Sequence, residues 1–76
     1  MEFDEMVRVL TVLSGEQLLV VIFVVLDGYT ETEVAAYFTE IFAPTHYSRE
    51  RVHRIKRTAL ARMRRAVLAD NLMTAA

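Results

Sequence analysis

Apolar residues recur at spacings of three and four along much of the chain, which is the period of an amphipathic α-helix. A first helix is predicted over residues 2–13, where one apolar stripe contains Phe3, Met6, Val7, Leu10 and Leu13. A helix that ends before Pro44 is predicted to bury Val34, Tyr37, Phe38, Ile41 and Phe42. The last helix is predicted over about 48–69, with a core-facing stripe of Val52, Ile55, Ala59, Met63, Ala66 and Val67. Residues 70–76 are predicted to fray.

Between the first and third stripes lies "LSGEQLLVVIFVVLDG", which is compatible with two structures. Ser14 followed by Gln17 has the form of a capping box, and Asp27-Gly28 can end a helix. The central "VVIFVV" also has strong β propensity, so a strand competes. A lone strand would leave its backbone groups unpaired, and no second strand-like segment follows. The pattern therefore favours a helix, and with it an all-α fold of four helices.

Two further caps support this division. Thr30 and Glu33 have the form of a second capping box, and Ser48 can cap the last helix. Pro44 disfavours helix at the residue before it. The third helix, a loop around "APTHY" and the fourth helix together make a helix-turn-helix candidate.

Length and composition narrow the class of protein. The 76 residues suffice for one small domain, and 54% hydrophobic residues supply a core. There is no cysteine, which excludes disulfides and thiolate metal sites. The longest apolar run, Leu18 to Leu26, is too short to cross a bilayer. The N-terminus is acidic, whereas signal peptides begin basic, so we expect a cytoplasmic protein without membrane contact.

Charge divides the chain into two parts, although its net value is only −1. Residues 1–48 carry eight acidic residues and one basic residue, and residues 49–76 carry eight basic and two acidic residues. The C-terminal part is therefore expected to meet an anion.

Three segments resemble region four, the C-terminal domain of bacterial sigma factors. They are "LSGEQLLVVI", "LDGYTETEVAAYF" and "SRERVHRIKRTALARMRR". The last is the most specific, because "SRERV" is typical of the recognition helix of that family. The resemblance covers roughly residues 10 to 66. It implies a helix-turn-helix domain that binds the −35 promoter element and contacts the flap of the RNA polymerase β subunit.

Carried over by position, the resemblance implies that Arg49, Glu50, His53 and Arg54 contact base edges. It implies that Arg51 and Arg57 contact phosphates. Three features depart from the family, one of which is that His53 and Arg54 stand where the family usually has Arg and Gln. Residues 39–47 make the connection before Ser48 longer than is usual, which puts the docking angle of the recognition helix in question. No other sigma region is present, so we expect either an excised domain or a free-standing sigma-like regulator.

The basic segment has a second interpretation. Arginine pairs with guanine edges, and a carboxylate such as that of Glu50 can accept from cytosine. An acid inside a basic stripe thus favours base recognition over non-specific attraction. The same residues could instead form a solvated face, with Glu50 and Arg54 as an i,i+4 pair.

The second helix offers another candidate surface. A small bundle cannot cover a helix that is apolar on all sides. Residues from this helix are therefore expected to remain exposed and to contact a partner: Val20, Val21, Val24 and Val25. The resemblance to sigma region four implies that this partner is RNA polymerase. A second copy of the chain or another regulator would also cover the exposed residues. The alternative is a fully buried core helix.

No enzymatic chemistry is indicated. His46 and His53 with Glu50 lack supporting metal ligands, and Ser14 and Ser48 fit caps better than nucleophiles. We expect no cofactor and no metal. The leading prediction is a single domain, residues 1–76, that regulates transcription by binding double-stranded DNA and RNA polymerase. The alternative is a protein-interaction module that does not recognise DNA.

Overall fold

Four helical segments follow one another in the computed structural model, which describes the backbone of residues 2–75 and the side chains of residues 2–69. They are α1 (Phe3–Leu10), α2 (Gly15–Val20) with a π-helical continuation (Val21–Leu26), α3 (Glu31–Ile41) and α4 (Arg49–Ala75). The described residues contain no strand, so the all-α prediction is confirmed. None of the described helices has the length and apolar character of a membrane span.

Both predicted capping boxes are formed. Ser14 Oγ accepts from the Gln17 amide at 3.3 Å, and Gln17 Oε1 accepts from the Ser14 amide at 3.1 Å. Thr30 and Glu33 exchange the same two bonds at 3.1 and 3.0 Å. These reciprocal bonds satisfy donors that a helix start leaves unpaired, which is why α2 and α3 begin where they do.

The last six residues of "LLVVIFVVL" form a π-helix, which the sequence pattern did not predict. The Asp27 amide donates to the Ile22 carbonyl at 2.9 Å, five residues back, and the Tyr29 amide donates to Phe23 at 2.9 Å. Gly28 then takes a φ of 79°, a conformation that glycine adopts without strain. The segment is helical, so the competing strand is excluded, but its wider turn changes which side chains face the core.

Phe38 of α3 lies at the centre of the core and is fully buried. Its ring packs edge-on against Phe42 and Tyr47, each at 5.3 Å between centroids, and against Phe23 at 6.2 Å. The aliphatic residues around it are Val20, Val34, Ala35 and Val52. The rings thus join the second helix, α3 and the loop before α4 into one cluster.

The last helix is longer than predicted. It continues to Ala75 instead of ending near 69, and its 27 residues span about 40 Å. Val52 and Ala59 on its inner side are fully buried, as the stripe predicted. The chain as a whole measures 47 × 18 × 16 Å, so α4 determines its long dimension. The predicted fraying of residues 70–76 concerns a segment whose side chains lie outside the described residues.

Two predicted stripes are less buried than their spacing indicated. In α1 the buried residue is Val9, whereas Phe3 is 73% exposed and Met6 and Val7 are also exposed. In α3, Val34 and Phe38 are buried as expected, but half-exposed side chains include Tyr37, Ile41 and Phe42. Periodicity located these helices correctly. It did not determine how much of each apolar face the small domain covers.

Candidate nucleic-acid interface

The start of α4 is fixed by hydrogen bonds from both sides of residue 48. Ser48 Oγ accepts from the Arg51 amide at 3.1 Å, which confirms the predicted cap. One residue earlier, the Tyr47 amide donates to Thr39 Oγ1 of α3 at 2.9 Å. The Thr39 hydroxyl lies 2.8 Å from the Ala35 carbonyl and 3.1 Å from that of Tyr47, either of which can accept its proton. The first turn of α4 is therefore held against the last turns of α3.

Tyr47 secures this junction from the core side. It is buried, and its hydroxyl donates to Glu16 Oε2 of α2 at 2.5 Å. The hydrogen bond to Glu16, with burial, raises the pKa of Tyr47 above its usual value. Because its ring and hydroxyl are engaged inside the domain, Tyr47 is a structural residue and does not present a ring for stacking on bases.

Arg51 was predicted to contact phosphates, but its side chain is directed to this same junction. Its guanidinium lies 4.3 Å from the Tyr47 ring centroid and 3.9 Å from Glu16 Oε2. It also donates to the His46 carbonyl at 3.4 Å. A guanidinium over an aromatic face beside a carboxylate is stabilised where it is. Arg51 therefore ties the start of α4 to α2.

His53, a predicted base contact, is likewise engaged within the domain. Its Nδ1 lies 2.7 Å from Glu31 Oε2 at the start of α3, and Lys56 Nζ lies 3.4 Å from the same oxygen. Burial raises the pKa of Glu31, but hydrogen bonds from His53 and Lys56, with their charges, outweigh burial and hold that pKa below 4.5. This cluster joins α3 to α4 and orients the helix, while 43% of the His53 side chain remains exposed.

We expect Glu31→Gln to destabilise the domain by about 1–2 kcal/mol near pH 7, because hydrogen bonds to a charged group are worth about 1.5–3 kcal/mol and solvent screens the half-exposed partner His53. The lowered pKa means that the ionised carboxylate stabilises the fold above pH 4.5, and that this contribution is lost as the pH falls through the folded-state pKa. Urea titrations should therefore show that the difference in unfolding free energy between wild type and variant is smaller at pH 3 than at pH 7. The control is Glu40→Gln, an exposed charge on the same helix.

The remaining predicted residues of α4 are exposed. Arg49 and Glu50 form a surface pair at 3.6 Å, and no ion pair joins Glu50 to Arg54 among the described residues. Exposed ion pairs of this kind contribute little to stability, so both side chains can leave this pair to bind other partners. On a helical projection Glu50, Arg54 and Arg57 fall opposite Val52. Arg64 and Arg65 continue the same exposed face along the helix.

We call this exposed set the outer face of α4: Glu50, Arg54, Arg57, Arg64 and Arg65, with Arg49 at its start. From Arg54 to Arg65 it extends about 16 Å. Neighbouring Arg62 lies to one side and its Nη1 donates to Gln17 Oε1 at 3.3 Å. The structure thus separates the basic residues into an exposed row and a group that anchors the helix.

The predicted partner surface on the second helix is mostly buried. Val20 and Val21 are covered by the core, and Val24 packs against it; only Val25 is exposed. Val20 packs in the same cluster as Phe38 and Tyr47, and Val21, the first residue of the π-helix, is buried as well. The exposed apolar side chains on this side of the molecule instead include Val25, Leu26, Tyr29, Tyr37 and Ile41.

A groove opens beside these residues. It has a volume of about 440 Å³ and is lined by Phe23, Tyr29, Glu33, Val34 and Tyr37. The sequence pattern did not predict this groove, because its walls come from three separate segments: the π-helix, the turn after the π-helix, and α3. Sequence analysis also missed Glu16 and Glu31 as anchors of α4, since contacts between residues 22 or more apart leave no local pattern.

No protein-family model, no curated protein and no solved structure matches this chain. A functional assignment therefore rests on the arrangement of its own side chains.

Proposed function

We propose that this protein is a DNA-binding transcription regulator in which α3 and α4 form a helix-turn-helix and α4 is the recognition helix. The observation that carries the proposal is the outer face of α4, a row of exposed arginines on a helix whose inner side is packed into the core. DNA affinity comes largely from such cations, which release counterions condensed on phosphates. The resemblance of "SRERV" to sigma region four supports the same function.

Roles divide along the helix. Arg49, Glu50 and Arg54 lie in its first two turns, the part of a recognition helix that reaches base edges. Arginine suits guanine and the carboxylate suits cytosine, so these three recognise sequence. Arg57, Arg64 and Arg65 bind phosphates. Arg51 and His53 act indirectly, as residues that hold the helix in position.

The second element of the proposal is contact with RNA polymerase. The resemblance to region four supplies the partner, the β flap, and a −35-type element as the DNA target. The exposed apolar residues that support a protein contact are Val25, Leu26 and their neighbours on α3. Contiguous exposed apolar residues of this kind commonly mark interaction sites. A homodimer or another regulator would use the same surface.

A protein-interaction module that does not recognise DNA is the second candidate. It is favoured by the connection between α3 and α4, residues 42–48, which is long for a helix-turn-helix. The two candidates differ in the effect of replacing Arg49 and Arg54 with alanine. The interaction module keeps its protein partner and has no duplex preference to lose, whereas the DNA-binding regulator loses its preference for one duplex sequence. Val25→Asp weakens the protein contact in both candidates.

The proposal is tested by removing one exposed arginine at a time. Arg57→Ala is expected to weaken duplex binding for all sequences alike, and to reduce the slope of log affinity against log salt by about one. Fluorescence anisotropy of a labelled duplex over a salt series measures both. Arg62→Ala removes the same charge from the side of α4 and should change the slope by less than half as much. Equal effects of the two variants would contradict an interface confined to the outer face.

A further inference from the structure

The groove beside the π-helix combines three aromatic rings with a carboxylate. The rings of Tyr29 and Tyr37 meet the Phe23 ring edge-on at centroid distances of 6.2 and 5.7 Å. Tyr29 and Tyr37 are each about half exposed. Glu33 also lines the groove and is exposed. The groove's volume of about 440 Å³ lies within the range of ligand sites.

Electrostatics around the groove favour a cation. Residues 9–48 contain no lysine or arginine, so no basic side chain from the second helix, the following turn or α3 neutralises the site. Asp27 and Glu40 add exposed negative charge to the same elements. Glu33 Oε1 accepts from the Thr30 amide, and this backbone hydrogen bond lowers the pKa of Glu33. The carboxylate is therefore ionised at neutral pH.

Aromatic faces attract cations, and arginine most often fills such sites in proteins. The carboxylate of Glu33 adds a charged hydrogen-bond acceptor that matches the guanidinium fork. Val25 and Leu26 are exposed apolar residues of the same π-helix that supplies Phe23, and they offer surface for apolar neighbours of that arginine. The groove is thus suited to a side chain that is cationic at its tip within an apolar segment.

We infer that this groove is a docking site for a partner protein, which inserts an arginine flanked by apolar residues between Tyr29 and Tyr37, with Glu33 as its counter-ion. Charge complementarity and the aromatic lining carry the inference. It concerns a surface other than the outer face of α4, so it does not depend on DNA binding.

The test is an NMR titration of the whole chain with the probe peptide acetyl-Leu-Leu-Arg-Leu-Leu-amide and with its citrulline analogue, which keeps the shape and removes the charge. Ring signals of Tyr29 and Tyr37 and the amide of Glu33 report on the groove. Tyr47, buried elsewhere in the core, is the internal reference. We expect saturable shifts at the groove, with the citrulline peptide bound about five- to thirtyfold more weakly.

Glu33→Gln should weaken the arginine peptide by about two- to fivefold and leave the citrulline peptide unchanged. Asp4→Asn, an equal charge change on α1, which does not line the groove, should alter neither. Equal affinity for the two peptides, no groove shifts up to millimolar peptide, or equal effects of the two variants would each overturn the inference. So would a wild-type dimer in sedimentation that Tyr37→Ala converts to monomer, because a second copy would then fill the groove. Duplex binding measured on Glu33→Gln should be unchanged, which keeps the test separate from the DNA proposal.

Discussion

Replacing Arg49 and Arg54 together with alanine is expected to abolish any preference of this protein for one duplex sequence over its scrambled counterpart. Both side chains are exposed in the first two turns of α4. Each well-placed arginine–guanine contact discriminates by about 1–3 kcal/mol, which is about 5- to 150-fold in affinity. Loss of two such contacts leaves only the attraction of the remaining cations for phosphates. The measurement is the ratio of dissociation constants for the two duplexes at one salt concentration.

A matched pair of charges lies farther along the same face. Arg64→Ala with Arg65→Ala removes the same total charge, and should weaken both duplexes by similar factors while the ratio persists. Because Arg64 and Arg65 are assigned to phosphates, their loss should reduce the salt slope by about two, and the loss of Arg49 and Arg54 should reduce it by less. A sequence preference that survives loss of Arg49 and Arg54, or disappears with Arg64 and Arg65, would contradict the assignment of base contacts to the start of α4.

Phe38→Ala is expected to produce the second large effect, a loss of about 3–5 kcal/mol of unfolding free energy. Phe38 is fully buried, and its ring contacts Phe23, Phe42 and Tyr47. A domain of this size has a total stability of about 4–11 kcal/mol, so the variant should melt at least about 15 °C lower or fail to fold. Thermal and urea denaturation followed by circular dichroism measure it.

Phe3→Ala provides the control for the same chemical change. Phe3 is 73% exposed on α1, and its loss should change the unfolding free energy by less than about 0.5 kcal/mol. If the two variants were equally stable, the aromatic cluster around Phe38 would not be the centre of the core. DNA affinity measured on a folded Phe3→Ala protein should equal that of wild type.

Features governed by neighbours a few residues apart could be predicted from the sequence. The capping boxes at Ser14 and Thr30 and the cap at Ser48 each use a hydrogen bond to the residue three positions later, and all three caps are formed. Helical periodicity likewise predicted the inner side of α4, where Val52 and Ala59 are buried. These features depend on local backbone geometry, which the residue types themselves determine.

Features that depend on distant parts of the chain could not be predicted in this way. His53 has the spacing of an outward recognition residue, but Glu31, 22 residues earlier, engages it. Arg51 is drawn to Tyr47 and Glu16 in the same manner. Val20 and Val21 are buried, whereas Val25 is exposed, and a run of apolar residues carries no signal for which of its side chains the rest of the chain covers. The change from α-helix to π-helix at Val21 left no signal in the sequence either.

The most direct test of DNA binding by α4 is the salt dependence of wild-type affinity for a duplex with a −35-like element. The three arginines assigned to phosphates, Arg57, Arg64 and Arg65, predict a slope of about −3 in log affinity against log salt. The base contacts assigned to Arg49 and Arg54 predict tighter binding than to a scrambled duplex. Absence of binding at low salt, or a slope near zero, would contradict the account and leave the groove as the functional surface.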